Sequence, residues 1–177
     1  MSCAGLILPY GDKTPIVDGT AFVAPNATII GDTEVGAEAS IWFNVVLRGD
    51  VNYIRVGART NIQDGAVVHV SSKDHPALIG RDVLIGHLAM IHACTLEDRC
   101  FIGMSATVMD GAVVEEGAMV AAGALIAPGK RVGAGQLWAG TPAKYVRDLT
   151  PEESASFPGQ IQRYVDLGQK YRATLAS

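Results

Sequence analysis

No stretch of the 177-residue chain stays apolar long enough to cross a bilayer, although 49% of its residues are hydrophobic. A spanning helix needs ~18 or more consecutive apolar residues. The longest run, residues 118–127, falls short of that and keeps the beat of a repeat described below. The opening Met-Ser-Cys-Ala-Gly has neither the charged region nor the apolar stretch of a secretory leader. A basic surplus is also missing. Fourteen Lys and Arg stand against 18 Asp and Glu, for a net charge of −4, and the basic residues are scattered. That argues against nucleic acid and against an anionic membrane surface as partners. Cysteine is scarce as well. Cys3, Cys94 and Cys100 are odd in number and lack zinc-finger spacing. They read as reduced thiols of a cytoplasmic protein, not as disulfides or metal ligands. The length suits one domain with a substantial core.

What the sequence does have is a period of six. Aliphatic residues recur at Val23, Ile29, Val35, Ile41 and Leu47, then at Val56, Ile62 and Val68, then at Ile79, Ile85 and Ile91. After a one-residue slip to Leu96 the beat runs unbroken through Ile102, Val108, Val114, Val120, Ile126, Val132 and Trp138. Six matches neither the 3.6 of a helix nor the 2 of a plain strand. It fits a parallel β-helix of hexapeptides, each giving one short strand and one corner, with three per triangular coil. The spacing leaves the hand of the coil open.

Three segments follow from this pattern: a lead-in over residues 1–22, a β-helix over 23–140, and a helical C-terminal segment over 150–177. Thr150-Pro151-Glu152-Glu153 combines a cap, a proline at the first helical position and an acidic first turn. Pro158-Gly159 predicts a break, followed by a second helix carrying Ile161, Tyr164, Val165, Gly168, Tyr171 and Leu175. Its apolar stripe is expected to pack on a β-helix face or a neighbouring subunit, or to cover the open end of the coil.

Phase assigns faces. The eleven residues from Val68 to Ile79 are treated as one face carrying an insertion, because Ser71-Ser72-Lys73-Asp74-His75-Pro76 reads as a loop. Leu47, Val68, Ile91 and Val108 then lie on face A. Val56, Ile79 and Leu96 lie on face B, and Ile41, Ile62, Ile85 and Ile102 on face C. On face A the outward residue after the aliphatic one is Arg48, His69, His92 and Met109 on successive rungs. On face C the second residue after it is Phe43, Asp64, His87 and Met104, near a corner. Rungs lie ~4.8 Å apart, so stacked His69 and His92 can share one ion at ~2.0–2.1 Å per nitrogen. His87 belongs to another column of the same coil; the geometry leaves open whether it reaches that ion in its own chain, and a neighbouring chain could bring it there. Three prisms repeating the contact make a cyclic trimer. The reading is a three-histidine zinc site with a fourth position open to water; the alternative is a polar trimer interface without metal. Histidine ligands also suit iron.

Nearby polar residues have candidate roles. Arg48 and Asp50 read as a structural salt bridge that fixes register, of the kind an arginine and an aspartate form across a subunit boundary. Gln63, which shares a rung with Asp64 and His69, can orient a water or substrate. Asn61 reads as a turn support, and His75 as a solvated loop residue.

Several stretches resemble the γ-class carbonic anhydrases and their close relatives. They are Val-Leu-Arg-Gly-Asp (46–50), Asn-Ile-Gln-Asp-Gly-Ala-Val-Val-His (61–69), Ile-Gly-His-Leu-Ala-Met-Ile-His-Ala-Cys (85–94), Ile-Gly-Met-Ser-Ala-Thr-Val-Met-Asp-Gly-Ala (102–112) and Gly-Thr-Pro-Ala-Lys-Tyr-Val-Arg (140–147). The resemblance runs from about residue 10 into the C-terminal helix. It implies a left-handed parallel β-helix and a homotrimer, with a metal between subunits held by His69 and His92 of one chain and His87 of the next. The implied reaction is reversible hydration of CO2 to bicarbonate. Arg48 and Asp50 would serve interface pairing and bicarbonate handling, Gln63 would position the ligand, and Tyr164 would approach the site from the C-terminal helix. Asn61 and Asp64 fall in the matching Asn-x-Gln-Asp segment. The chain departs from the fully active type, which carries a glutamate where Val51 stands and another in an acidic loop. Here the loop after His69 is short, and Asp74 is its one acid. The pattern is that of the shorter branch, in which proton export is expected to limit turnover. Other readings are an acyl-CoA thioesterase or acyltransferase of the hexapeptide-repeat class, and a catalytically weak metal-binding scaffold.

Overall fold

The computed structural model describes residues 5–72 and 74–175; Cys3, Lys73 and the last two residues lie outside it. The six-residue beat becomes a parallel β-helix. Its short strands stack in register, with Ile91 between Val68 and Val108, and Ile85 between Ile62 and Ile102. Face C is one eight-stranded sheet. Faces A and B join into a twelve-stranded sheet, because the strands Thr28–Val35 and Val46–Val56 run around the corner between them.

The repeated aliphatic side chains point inward and fill the prism. Ile29, Leu47, Val68, Ile91, Val108, Ile41, Ile62, Ile85 and Ile102 have no solvent exposure. Burial of each such side chain is worth about 1.5–3 kcal/mol, which is how two- and three-residue strands persist. Corners take the left-handed backbone region, including at non-glycine residues such as Leu88 and Ala93. Each such residue costs roughly 1–2 kcal/mol, and the closed stack of coils offsets it.

The coil begins earlier than Val23. Leu6–Leu8 pairs with Thr28–Ile30, and Ile16–Val17 with Glu34–Val35. Val17 lies one repeat before Val23, so the lead-in was already in phase. At the other end, Ala143–Asp148 turns back antiparallel on Gln136–Gly140 and lines the last edge of face C. A strand covers that edge, and the helix does not.

The helical segment is one helix, α1 (Pro151–Leu175), with no break at Pro158-Gly159. Thr150 Oγ1 accepts the Glu153 N–H at 3.2 Å and Glu153 Oε2 accepts the Thr150 N–H at 2.8 Å, a reciprocal cap. Proline inside a helix costs about 3 kcal/mol. Two large side chains astride it offset that cost: Phe157 is buried against Phe101 with ring centroids 5.3 Å apart, and Ile161 is buried too. The helix lies along face C of its own chain. Trp42 meets Tyr164 and Tyr171 edge-on at 6.0 and 5.4 Å, and Gly168 comes down on Phe22 and Ser40.

Candidate metal centre

The corner between faces A and B sets the site, because its length changes from coil to coil. The chain goes from Ile29 to Val35 in six residues, from Leu47 to Val56 in nine, and from Val68 to Ile79 in eleven; from Ile91 to Leu96 it takes only five. The two long corners carry Asp50 and His75 and are tied by Asn52 Nδ2 donating to the Ser71 carbonyl at 3.0 Å. Gly49 makes the first corner possible. A Cβ there would lie 2.7 Å from the Asp32 carbonyl oxygen, so only glycine lets the strand pass and aim Asp50 at the next rung.

Arg48, His69 and His92 stack in register, as the column argument expects. His69 Nδ1 and His92 Nε2 face each other at 3.1 Å. Each ring's other nitrogen meets a carboxylate: His69 Nε2 lies 3.1 Å from Asp50 Oδ1, and His92 Nδ1 lies 2.6 Å from Asp110 Oδ1. A neutral imidazole has one N–H. With that proton turned to the carboxylate on each ring, two lone pairs point at one another, an arrangement that repels unless a cation lies between them. Two nitrogens bound to one tetrahedral ion at ~2.0–2.1 Å would stand ~3.3 Å apart, close to what is found. The donor set therefore fits a divalent metal.

The electrostatics agree. Burial pushes the His69 imidazole below its ordinary value; the Asp50 carboxylate pulls the other way, and Arg48 and His92 add to the lowering. Burial disfavours the Asp50 carboxylate, but the hydrogen bonds from Arg48 and His69 prevail and hold it below the usual carboxylate range. Arg48 pairs with Asp50 of its own chain through Nη1 and Oδ2, so the pair needs no subunit boundary.

A second group forms around face C. His87 Nδ1 lies 3.0 Å from Asp64 Oδ2, giving the third histidine the same carboxylate support. Gln63, nearly fully buried, accepts the His87 backbone N–H at 3.2 Å through Oε1. Its amide end borders a cleft of about 220 Å³ under α1, lined also by Phe101, Met104, Met119 and Tyr164. Burial raises the Tyr164 phenol pKa, and the negative charge of Asp64 adds to the shift. Asn61 is not a turn residue. It opens the strand Asn61–Ile62 on the buried side of α1, and its Nδ2 donates to Ser40 Oγ at 2.9 Å.

His69 and His92 thus meet in one chain, whereas His87 sits in a separate group. Among the described residues, no three His, Cys, Asp or Glu side chains of one chain converge on a metal position. Asp110 is the residue the sequence reading missed. The signal was present: it follows Met109, the next member of the Arg48–His69–His92 column. His75 is exposed and its ring lies over Gly111. Cys94 and Cys100 are buried thiols; burial pushes Cys94 up to about 12 and raises Cys100 further. No helix of the described residues is long and apolar enough to cross a membrane.

Comparisons with known proteins bear on this arrangement. Residues 94–128 match the hexapeptide repeat of succinyl-transferase. The chain is 52% identical over 167 residues to gamma carbonic anhydrase 1, mitochondrial, of Arabidopsis thaliana, covering 92% of this chain and 61% of the relative. The chain therefore spans about three fifths of that plant protein. It is 42% identical over 168 residues to a carbonic anhydrase of Geobacillus kaustophilus, covering 95% of this chain and 92% of the relative. A crystal structure of a hexapeptide transferase family protein from Anaplasma phagocytophilum superposes with a TM-score of 0.89 at 50% identity, covering 94% of this chain and 98% of that one. The relatives include mitochondrial and bacterial proteins, so the family by itself does not assign a compartment. The repeat, the paired histidines and relatives that match along nearly their whole length agree: the chain belongs to the γ-class carbonic anhydrase family of hexapeptide-repeat proteins.

Proposed function

We propose that this protein is a metal-dependent hydratase of the γ-carbonic anhydrase type, interconverting CO2 and bicarbonate in a cytoplasmic homotrimer. One observation carries the reading: the imidazoles of His69 and His92, each tied to its own carboxylate, turn their remaining nitrogens to each other at 3.1 Å. His87, with its Nδ1 on Asp64, keeps Nε2 free for a neighbouring chain. A trimer supplies the missing third nitrogen by symmetry. Zinc is the favoured ion, and Fe2+ suits the same ligands. Such an ion supplies Lewis acidity that makes a hydroxide nucleophile available near neutral pH.

The chain's own residues do the rest. Arg48, held by Asp50, offers a cationic fork toward a developing bicarbonate. Gln63 is fixed through Oε1 and turns its NH2 donors to the ligand. Tyr164 keeps its phenolic proton at neutral pH and provides a donor at the mouth of the cleft. Val51 is exposed where an acidic proton carrier would serve, so proton export is left to solvent and buffer. The test is stopped-flow CO2 hydration on protein of measured metal content, prepared with and without oxygen. Hydration that scales with bound metal supports the reading; metallated trimer without hydration above the buffer rate overturns it.

A second reading follows from the likeness to hexapeptide transferases. An acyltransferase or acyl-CoA thioesterase would use a histidine as base, and a transferase would work at full rate without metal. Acyl transfer by metal-stripped protein would favour it. A catalytically silent scaffold would instead lose its trimer on chelation and show no activity when loaded.

A further inference from the structure

The aspartate below the histidine pair has a specific origin. Val108 pairs with Ile91, and Val114 with Leu96. Four residues (92–95) join the upper pair and five (109–113) the lower, so the corner beneath His92 has one residue more than the corner above it. The slip in the six-residue beat is thus a geometric device. The lower corner swings past the upper one and brings a side chain to the outer edge of the His92 ring. That side chain is Asp110, 2.6 Å from Nδ1. Its backbone is pinned from both sides: Gly111 N–H donates to the Ala93 carbonyl at 2.8 Å, and the Asp110 carbonyl accepts Gly129 N–H at 2.8 Å. Gly111 has φ near +66°, and a Cβ there would lie 3.0 Å from His75 Nε2. The ring from the inserted loop therefore seats on the same corner and walls it.

We propose that Asp110 is the positioning residue for His92: it selects the Nδ1–H tautomer and aims Nε2 at the point that His69 Nδ1 also faces. This rests on the metal reading above and adds to it a residue outside the proposed ligand set, for which the sequence assigned no role. Asp110 is about one third exposed, so its place is not explained by core packing. The carboxylate fixes the ring's tautomer and orientation; an amide of the same shape does so less well.

The experiment measures Zn2+ and Co2+ affinity by chelator competition for the full chain and for Asp110→Asn and Asp110→Glu. Folding and assembly are followed by circular dichroism and sedimentation, and the visible band of the Co2+ form is recorded. Asp110→Asn should remain folded, bind Zn2+ about 10–100-fold more weakly and shift the Co2+ band. Asp110→Glu, which restores the carboxylate, should recover part of the loss. Wild-type affinity and an unchanged Co2+ band in folded Asp110→Asn overturn the inference and leave the metal site standing. If the asparagine variant misfolds, the glutamate variant decides: a glutamate form as weak as one lacking His92 refutes a role for the carboxylate. Wild-type protein that binds neither ion sinks the metal reading itself and this inference with it.

Discussion

His92→Ala separates the site from the fold. His92 is outward and part-exposed at the end of the strand Met90–His92, whereas its neighbour Ile91 is fully buried. Removing the imidazole leaves no core cavity, and the freed Asp110 can reach water, so stability should change by about 1 kcal/mol or less. Metal binding should respond very differently. Four-ligand zinc sites are worth about 10–16 kcal/mol, or roughly 2.5–4 kcal/mol per protein ligand. Loss of one of three nitrogens then weakens Zn2+ by about 100- to 1000-fold at 1.4 kcal/mol per decade. The remaining His69 no longer faces a second nitrogen of its own chain. The assay is metal analysis after dialysis against a competing chelator, with thermal melting and stopped-flow CO2 hydration on the same samples. The expected result is a near-normal melt, sub-stoichiometric metal and no hydration above the buffer rate. Stoichiometric zinc after competition would refute the reasoning, since the 3.1 Å pair would then not be the metal-binding element.

Ile85→Ala on face C removes a fully buried side chain from the strand that leads to His87. It should cost about 2–5 kcal/mol and lower the melting temperature by roughly 5–15 °C; a shift of a degree or less would contradict the packing argument. Tyr164→Phe should keep metal affinity and lower hydration about tenfold or more, whereas an unchanged rate would remove the phenol from the mechanism. Arg147 donates to both Glu153 oxygens at 2.7 and 2.8 Å and holds that carboxyl at about 2, well below the usual carboxylate range. A carboxyl whose folded pKa is depressed adds stability above its unfolded value and loses it as pH falls toward the folded one. The gap in melting temperature between the protein and Glu153→Gln should therefore shrink between about pH 5 and pH 2, and a constant gap would refute the linkage.

The repeat and both columns were legible because the hexapeptide phase fixes where each side chain points. Val68, Ile91 and Val108 stack as counted, and His69 falls beside His92 because each follows an aliphatic residue by one. Two kinds of feature escaped. One is tertiary override: Pro158-Gly159 reads as a breaker on local propensity, but Phe157 and Ile161 anchor α1 on both sides of it. The other is corner geometry. Counting inward-facing residues treats the step from Ile91 to Leu96 as a fault in the beat; the pointer to Asp110 lay in the outward column, one residue past Met109. The missing residue shows its effect only when the coils above and below are laid in register. Asn61 was misjudged similarly: asparagine often supports turns, but here its phase puts it on the outward side of face C, under α1.

The same corner geometry keeps the three histidines of one chain in two separate groups. His69 and His92 are held on face A by Asp50 above and Asp110 below, while Asp64 holds His87 on the other side of the corner between faces C and A. A prism with rungs ~4.8 Å apart can stack two imidazoles along one edge, but it cannot fold a third around its own corner to the same point. Exposed apolar residues lie beside the two groups: Leu88 next to His87, Met90 in the strand of His92, and Met104 on the rung below His87. Burying that surface against a second chain would bring the free nitrogen of His87 toward a neighbouring pair with the same contact. Assembly and metal binding should therefore be linked. Metal that binds only when all three nitrogens meet must stabilise the trimer by mass action, and dilution of stripped protein should dissociate it at higher concentrations than loaded protein. Equal dissociation constants with and without zinc would mean that the third ligand does not come from a neighbour.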